Sequence, residues 1–150
     1  MSTVSFAFAC VVLPASSAEA ESPSEAGATV SANVGPLRNN RGSVGCRLYQ
    51  SAEGFPRTAK GTTSRRVKVT GASTQCKFER LPPGTYAIAV HHDENDNRKL
   101  DTNLIGIPLE GYGVSNNRVP ALSAPSWEES KFVVESGKTV ELSIALRYRG

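Results

Sequence analysis

The sequence predicts an all-β domain, an antiparallel seven-stranded β-sandwich of the immunoglobulin or prealbumin type with one long ordered loop. Three observations support this prediction. Seven short segments alternate apolar and polar residues, which is the period of a half-buried strand. Residues typical of turns, chiefly Gly, Pro, Asn and Ser, separate these segments. No segment has the period of an amphipathic helix, and only residues 126–130 are expected to form a helical turn.

The first four strands are expected at residues 30–34, 43–49, 66–70 and 74–79. Gly35-Pro36 and the run 39–42 break the chain between the first two. The third and fourth strands are expected to pair through a turn near Gly71. Alternation places one set of side chains toward the core, namely Val30, Ala32, Val34, Val44, Cys46, Leu48, Cys76 and Phe78.

The last three strands are expected at residues 85–91, 131–135 and 139–147. A Pro-Pro-Gly turn precedes the strand 85–91, which places Tyr86, Ile88 and Val90 on one face. The final two segments are expected to form a closing hairpin across residues 136–138.

The N-terminal residues indicate export. Residues 4–13 form an apolar run too short to span a membrane, and Ala18-Glu19-Ala20 supplies the small residues that a signal peptidase accepts. The alternative is a disordered start that is not a leader. We expect a signal peptide at 1–20, a flexible entry segment at 21–28 and one domain at 29–150. The mature protein is expected in the periplasm or outside the cell.

Two cysteines, Cys46 and Cys76, remain after removal of the leader. An even count in an oxidising compartment favours a disulfide, and both residues occupy inward strand positions. The alternative is a pair of buried free thiols, which pack as small hydrophobic side chains.

The net charge and the hydropathy of the sequence indicate which classes of partner are not expected. The formal net charge is only +3, and the one basic cluster, Arg65-Arg66-x-Lys68, lies on a predicted strand. This cluster is expected to be a solvated strand face, because no nucleic-acid-binding motif accompanies it. No segment after the leader is long and apolar enough for a transmembrane helix. We therefore expect no nucleic-acid partner and no transmembrane segment.

A polar turn after the strand 85–91 carries the most specific pattern. Side-chain oxygens recur at Asp93, Asn95, Asn97 and Asp101, and the backbone carbonyl of Lys99 could join them. Calcium prefers six to eight oxygen ligands, so this spacing predicts a calcium site. The alternative is a metal-free turn, since Asp and Asn side chains also hydrogen-bond their own backbone.

The chain resembles the bacterial domain of unknown function 2141 family. The resemblance rests on residues 81–90 (LPPGTYAIAV), 92–101 (HDENDNRKLD), 106–113 (GIPLEGYG) and 115–117 (SNN), and it extends to most of the chain after the leader. It implies a small, exported, predominantly β protein with no established activity. This sequence departs from the family pattern at Asp96 and Arg98, where small residues such as Gly are usual, and at His91, where an apolar residue is usual.

The connection 92–130 is expected to be ordered, because connections of this length in compact domains usually have a purpose, and its loop 93–117 is the expected functional or structural centre. The alternative is that the connection only covers an open sheet edge. Its polar and aromatic residues are expected to order the loop or bind a ligand, namely His92, Glu110, Tyr112, Ser115 and Asn116. Tyr112 and Trp127 could stack on a sugar or a protein partner, so a cell-surface protein or a carbohydrate is a candidate ligand, and the alternative is burial of both rings against the sheet.

The sequence predicts a non-catalytic binding or structural module, with no catalytic residue and no cofactor other than the calcium considered above. The alternative is an extracytoplasmic hydrolase using the carboxylates of Asp93, Asp101 and Glu110. If these carboxylates meet in an open cleft, the hydrolase is favoured, and if they meet in a closed polar network, a structural role is favoured.

Overall fold

The computed structural model describes residues 27–149, in which segments of alternating apolar and polar residues form eight strands. The predicted signal peptide and residues 21–26 of the predicted entry segment lie outside the described residues. The elements in chain order are β1 (Ala28–Val34), β2 (Ser43–Tyr49), β3 (Thr63–Lys68), β4 (Thr74–Leu81), β5 (Gly84–Asp93), β6 (Gly111–Val114), a 3₁₀ helix (Ser115–Asn117), α1 (Trp127–Ser130), β7 (Phe132–Val134) and β8 (Thr139–Ile144).

The strands form two sheets, so the prediction of an all-β fold is confirmed. One sheet has the order β4-β1-β8, and the other has the order β3-β2-β5-β6 with β7 also paired to β5. The structure has eight strands instead of the predicted seven, and β1 and β8 pair in parallel, so the sheets are not purely antiparallel. The additional strand, β6, lies within the connection that the sequence predicted as a loop.

Both predicted hairpins are wrong. The turn near Gly71 joins β3 to β4, but β3 pairs with β2 and β4 pairs with β1 in the other sheet. The turn at residues 136–138 likewise joins β7, which pairs with β5, to β8, which pairs with β1. Each turn therefore carries the chain from one sheet to the other, because the strands it joins bury their apolar faces against a shared core.

The core lies between the two sheets and is closed by a disulfide. The predicted inward residues of β1, β2, β4 and β5 are all buried, including Val30, Leu48, Phe78 and Ile88. Cys46 of β2 and Cys76 of β4 form the predicted disulfide, with their Cα atoms 6.4 Å apart. Because β2 and β4 belong to different sheets, this bond ties the two layers together across the core.

The connection 92–130 contains regular structure. It includes β6, which pairs with β5, the 3₁₀ helix and a short bridge between Thr102 and Pro108. The predicted helical turn is confirmed as α1, whose N-terminus is capped by Ser126. Gly113 allows close backbone packing in β6, because a Cβ atom there would lie 2.7 Å from the carbonyl oxygen of Ala145.

Candidate functional site

The polar turn after β5 is organised around the carboxylate of Asp93, which is fully buried. Its Oδ1 accepts a hydrogen bond from the backbone N–H of Asn97 at 3.0 Å, and its Oδ2 accepts one from Arg98 at 2.6 Å. The guanidinium of Arg66, on β3, forms an ion pair with Oδ2. Asp93 therefore ties the turn to the edge of the five-stranded sheet.

The remaining predicted calcium ligands bond to one another. The side-chain amides of Asn95 and Asn97 donate to the two oxygens of Asp101 at 2.7 and 2.8 Å. The amide oxygen of Asn95 accepts from the backbone of Asn97, and that of Asn97 accepts from Lys99 at 2.9 Å. These contacts support the metal-free alternative, in which Asx side chains satisfy the turn. We therefore expect the metal-free turn, and the calcium site predicted from the sequence is the untested alternative.

Addition of calcium is the test. We expect the same melting temperature in calcium chloride and in sodium chloride of equal ionic strength, because an ion would have to displace the Asn95 and Asn97 amides from Asp101 and lie near the Arg66 cation. A calcium site of the weak extracellular class, with Kd about 10⁻⁴–10⁻³ M, would instead stabilise the protein by about 0.4–1.4 kcal/mol at about 1 mM calcium. Asp101→Asn would then remove that stabilisation.

Glu110 joins this turn to the rest of the connection. Its Oε1 accepts the backbone N–H of Glu94 at 2.9 Å, and its Oε2 accepts that of Asp101 at 3.1 Å. The side chain is buried beside β6. The carboxylates of Asp93, Asp101 and Glu110 therefore belong to one closed hydrogen-bonded network in which each oxygen already accepts an N–H.

Glu94 extends the network to the segment after β1. Its carboxylate accepts hydrogen bonds from Arg38 Nε at 2.9 Å and from the Asn39 amide at 2.5 Å. Burial alone would raise the pKa of Glu94, but these hydrogen bonds outweigh it and hold the pKa below its ordinary value. Glu94 is therefore ionised at neutral pH and binds this segment to the turn.

His92, Ser115 and Asn116 also order the connection. The buried His92 ring lies 2.9 Å from the hydroxyl of Tyr148 and 2.8 Å from the carbonyl of Arg41. Ser115 Oγ accepts the N–H of Ile88 at 2.9 Å, and the Asn116 amide donates to the carbonyls on either side of Ser130 at 3.0 Å. These three residues thus bind neighbouring backbone.

A cleft of about 1150 Å³ opens on the face of the five-stranded sheet that points away from the core. Four residues paired side by side across β3, β2, β5 and β6 form one row of its floor, namely Arg66, Gly45, His91 and Tyr112. The loops at residues 98–108 and 121–125 form its walls. The polar turn therefore lies at the rim of this cleft, and its carboxylates do not line it.

The His91 ring lies over Gly45, where a Cβ atom would come within 2.5 Å of His91 Cε1. As predicted, His91 and His92 point to opposite faces of the sheet. Burial is the main cause that lowers the pKa of His91 to about 4, with the Arg66 and Arg47 cations contributing in the same direction and Asp93 opposing them. The ring is therefore neutral at neutral pH.

The lowered pKa of His91 predicts an acid-sensitive fold. An unfolded histidine takes up a proton near pH 6.5, whereas folded His91 does so near pH 4. The free energy of unfolding is therefore at its full value above pH 6.5 and decreases as the pH falls toward 4. We expect this residue to account for about 3 kcal/mol of that loss. Urea unfolding of the wild type and of His91→Gln across this range measures it. Equal acid sensitivity of the two proteins would contradict the assignment.

Basic side chains surround the cleft, and no Asp or Glu lines it among the described residues. The seven basic lining residues are Arg47, Arg57, Arg65, Arg66, Arg98, Lys99 and Arg149. Within residues 27–149 only Arg66 of these seven forms an ion pair with a carboxylate. Two buried nitrogens of lining residues, Arg47 Nε and His91 Nε2, have no hydrogen-bond partner in the same part of the chain. The six other basic residues therefore give the cleft uncompensated positive charge.

Sequence reasoning predicted some of these lining residues and missed others. Tyr112 lines the cleft, where its ring lies 5.9 Å from the guanidinium of Arg149. Trp127 instead packs edge-on against Phe55 at 5.9 Å, outside the cleft lining. The basic lining was missed because its members come from separate segments of the chain, and only the short cluster at residues 65–68 carried a local signal.

The described residues give two further negative findings. Between Gly27 and Arg149, no three His, Cys, Asp or Glu side chains are arranged to hold a metal ion. No helix in that range has the length and apolar character needed to cross a membrane.

Comparison with known proteins identifies a family but no characterised relative. The chain matches no curated protein and no solved structure. A family described as "Uncharacterized protein conserved in bacteria (DUF2141)" matches residues 32–142, which run from the end of β1 through β2 to β7 and into β8. This range contains the polar turn and most of the residues that line the cleft. The chain therefore belongs to this bacterial family of uncharacterised proteins.

Proposed function

We propose that this protein is an exported, non-catalytic binding module whose cleft takes an anionic ligand. One observation carries the proposal, which is that the cleft has seven basic lining residues and no acidic one among the described residues. A cleft lined by one sign of charge concentrates the field and attracts ligands of the opposite sign. Its volume of about 1150 Å³ is large enough for a ligand that contacts several of these cations at once.

The polar turn has a supporting role in this proposal. The backbone of Arg98 donates to Asp93, and the backbone of Lys99 donates to Asn97. These bonds fix the main chain that carries two of the exposed cations at the rim. The Asp and Asn residues that suggested a calcium site thus act as a scaffold for basic residues, which favours ligand binding in the cleft over metal binding in the turn.

The hydrolase alternative receives less support. A pair of catalytic carboxylates must face the substrate with room for the reacting bond. Asp93, Asp101 and Glu110 accept hydrogen bonds from the protein instead and lie outside the cleft lining. This arrangement matches the closed polar network that the sequence analysis associated with a structural role.

Export is part of the proposal. A disulfide between the two sheets suits an oxidising compartment, and the apolar run at residues 4–13 is followed by the small-residue cleavage motif that ends at Ala20. Mass spectrometry of the protein from its native host tests this, since a mature chain that still begins at Met1 would contradict cleavage.

Binding of dextran sulfate, with uncharged dextran of equal length as the control, tests the proposed function. We expect the protein to bind dextran sulfate and not dextran, with an affinity that falls as salt screens the charges. Arg98→Glu combined with Lys99→Glu should weaken binding by about tenfold or more, because each reversal replaces an attraction with a repulsion.

The control for these substitutions is Lys77→Glu combined with Lys138→Glu, which changes the net charge equally. Both control residues are exposed and lie outside the cleft lining. Binding by this variant should stay close to that of the wild type. An equal loss in both variants would mean that overall charge, and not the cleft, attracts the polyanion.

A further inference from the structure

We propose that the partner is the surface of an anionic lipid bilayer, docked against the open side of the cleft. The proposal rests on the proposed function, because it names the source of the anionic groups that the basic residues contact. It is carried by three large aliphatic side chains that stand in solvent beside those basic residues.

These side chains, the apolar tips, are Leu104, Ile105 and Leu122. Leu104 is fully exposed, Leu122 is 99% exposed and Ile105 is 79% exposed. Ile105 and Leu122 line the cleft from two different loops, and Leu104 is the chain neighbour of Ile105. Adjacent exposed aliphatic side chains on a soluble domain typically mark an interaction surface.

Hydrogen bonds hold the first loop in place behind its tip. The side-chain oxygen of Asn103 accepts the N–H of Ile105 at 3.1 Å and that of Ile107 at 2.9 Å. The backbone of Asn103 also accepts from Gly106 at 3.0 Å, and Thr102 bridges to Pro108. The loop therefore closes on itself and leaves its two aliphatic side chains outside.

A cation anchors the second loop. The guanidinium of Arg149 donates to the carbonyl oxygen of Pro120 at 2.8 Å and also to that of Ala121, directly before Leu122. The same guanidinium lies over the Tyr112 ring on the cleft floor. Arg149 therefore holds the backbone next to Leu122 close to the cleft floor.

A bilayer with anionic headgroups offers a charged layer to the basic residues and, beneath it, an apolar layer to the apolar tips. Its outer layer carries negative charge for Arg57, Arg98 and Lys99, which form no ion pair within residues 27–149. Hydrocarbon lies beneath that layer and can accept projecting aliphatic side chains. Three aliphatic residues and a few cations give reversible attachment rather than a permanent anchor.

Co-sedimentation with vesicles tests the proposal. One vesicle preparation is phosphatidylcholine alone, and the other has equal parts of phosphatidylcholine and phosphatidylglycerol. The variants are Leu104→Ser, the Arg98→Glu/Lys99→Glu pair described above, and Val133→Ser as a control. Val133 is an exposed aliphatic residue on β7, outside the cleft lining. Dextran sulfate binding is measured for each protein in parallel.

We expect the wild type and Val133→Ser to bind the phosphatidylglycerol vesicles and not the neutral ones. Leu104→Ser should lose about fivefold or more of its vesicle binding but keep its dextran sulfate binding, because it lacks an inserted side chain that lies outside the cleft lining. The Arg98/Lys99 variant should lose both.

Two results would overturn the bilayer proposal while leaving the proposed function intact. In the first, the wild type binds dextran sulfate but no vesicles. In the second, Leu104→Ser binds vesicles as well as the wild type does. If the wild type binds neither dextran sulfate nor vesicles, the proposed function fails together with this inference. The substituted side chains are solvent-exposed, so these variants are expected to fold.

Discussion

Replacement of both disulfide cysteines, Cys46→Ala with Cys76→Ala, should lower the free energy of unfolding by about 3–4 kcal/mol. The bond closes a loop with a sequence separation of 30 residues and so restricts the unfolded chain. Both side chains are buried in the core, and truncation to Ala adds the loss of packing. Because a domain of this size has only about 5–15 kcal/mol of stability, the loss is a large part of the total.

Urea unfolding of the wild type and the double variant measures this effect. The variant should also show a larger dependence of the free energy on urea, because its unfolded chain is less restricted and exposes more surface. Thiol titration of the denatured, unreduced wild type is the control. Two titratable thiols from Cys46 and Cys76, together with an unchanged unfolding midpoint in the variant, would contradict the structure.

Alternation in the sequence predicted where the strands lie but not which strands are neighbours. β2 was predicted with its observed bounds, because Val44, Cys46 and Leu48 alternate with polar or small residues. The turns at Gly71 and Gly137 have the composition of hairpin turns but carry the chain between sheets. A period of two residues identifies the buried face of a strand and contains no information about the strand beside it.

β6 was missed for a different reason. Its residues Gly111 and Gly113 leave only Tyr112 and Val114 to form a pattern, which is too short to distinguish from a loop. The strand forms because its backbone pairs with β5 and because the absence of Cβ atoms lets Gly113 pack against Ala145. Tertiary contacts therefore create this strand where local propensity does not.

The polar turn was predicted as a unit, while the cleft beside it was not. Asp93, Asn95, Asn97 and Asp101 lie within nine residues of one another in sequence and do interact. Asp96 and Arg98 in this turn have φ angles of 58° and 66°, in the left-handed region that favours Gly. The basic residues of the cleft are distant in sequence, so their proximity follows only from the strand order.

The ion pair between Arg66 and Asp93 joins β3 to this turn. Arg66→Met should lower the free energy of unfolding by about 3 kcal/mol, the lower end of the range for breaking a buried ion pair. The carboxylate side chain of Asp93 is 0% exposed and would lose its only cationic partner among the described residues, whereas the Arg66 side chain is 31% exposed, which places the cost at that lower end.

Lys68→Met is the matched control, because Lys68 lies on the same strand and pairs with a carboxylate of the same turn. The side chains of Lys68 and Asp96 are 66% and 44% exposed, so water can replace their ion pair. Thermal and urea unfolding of the two variants should therefore give a large loss for Arg66→Met and a much smaller one for Lys68→Met. Equal losses would mean that the contribution of these ion pairs to the free energy of unfolding does not depend on their burial. A negligible loss in Arg66→Met would show that the backbone N–H groups of Asn97 and Arg98 stabilise the buried carboxylate without a cation.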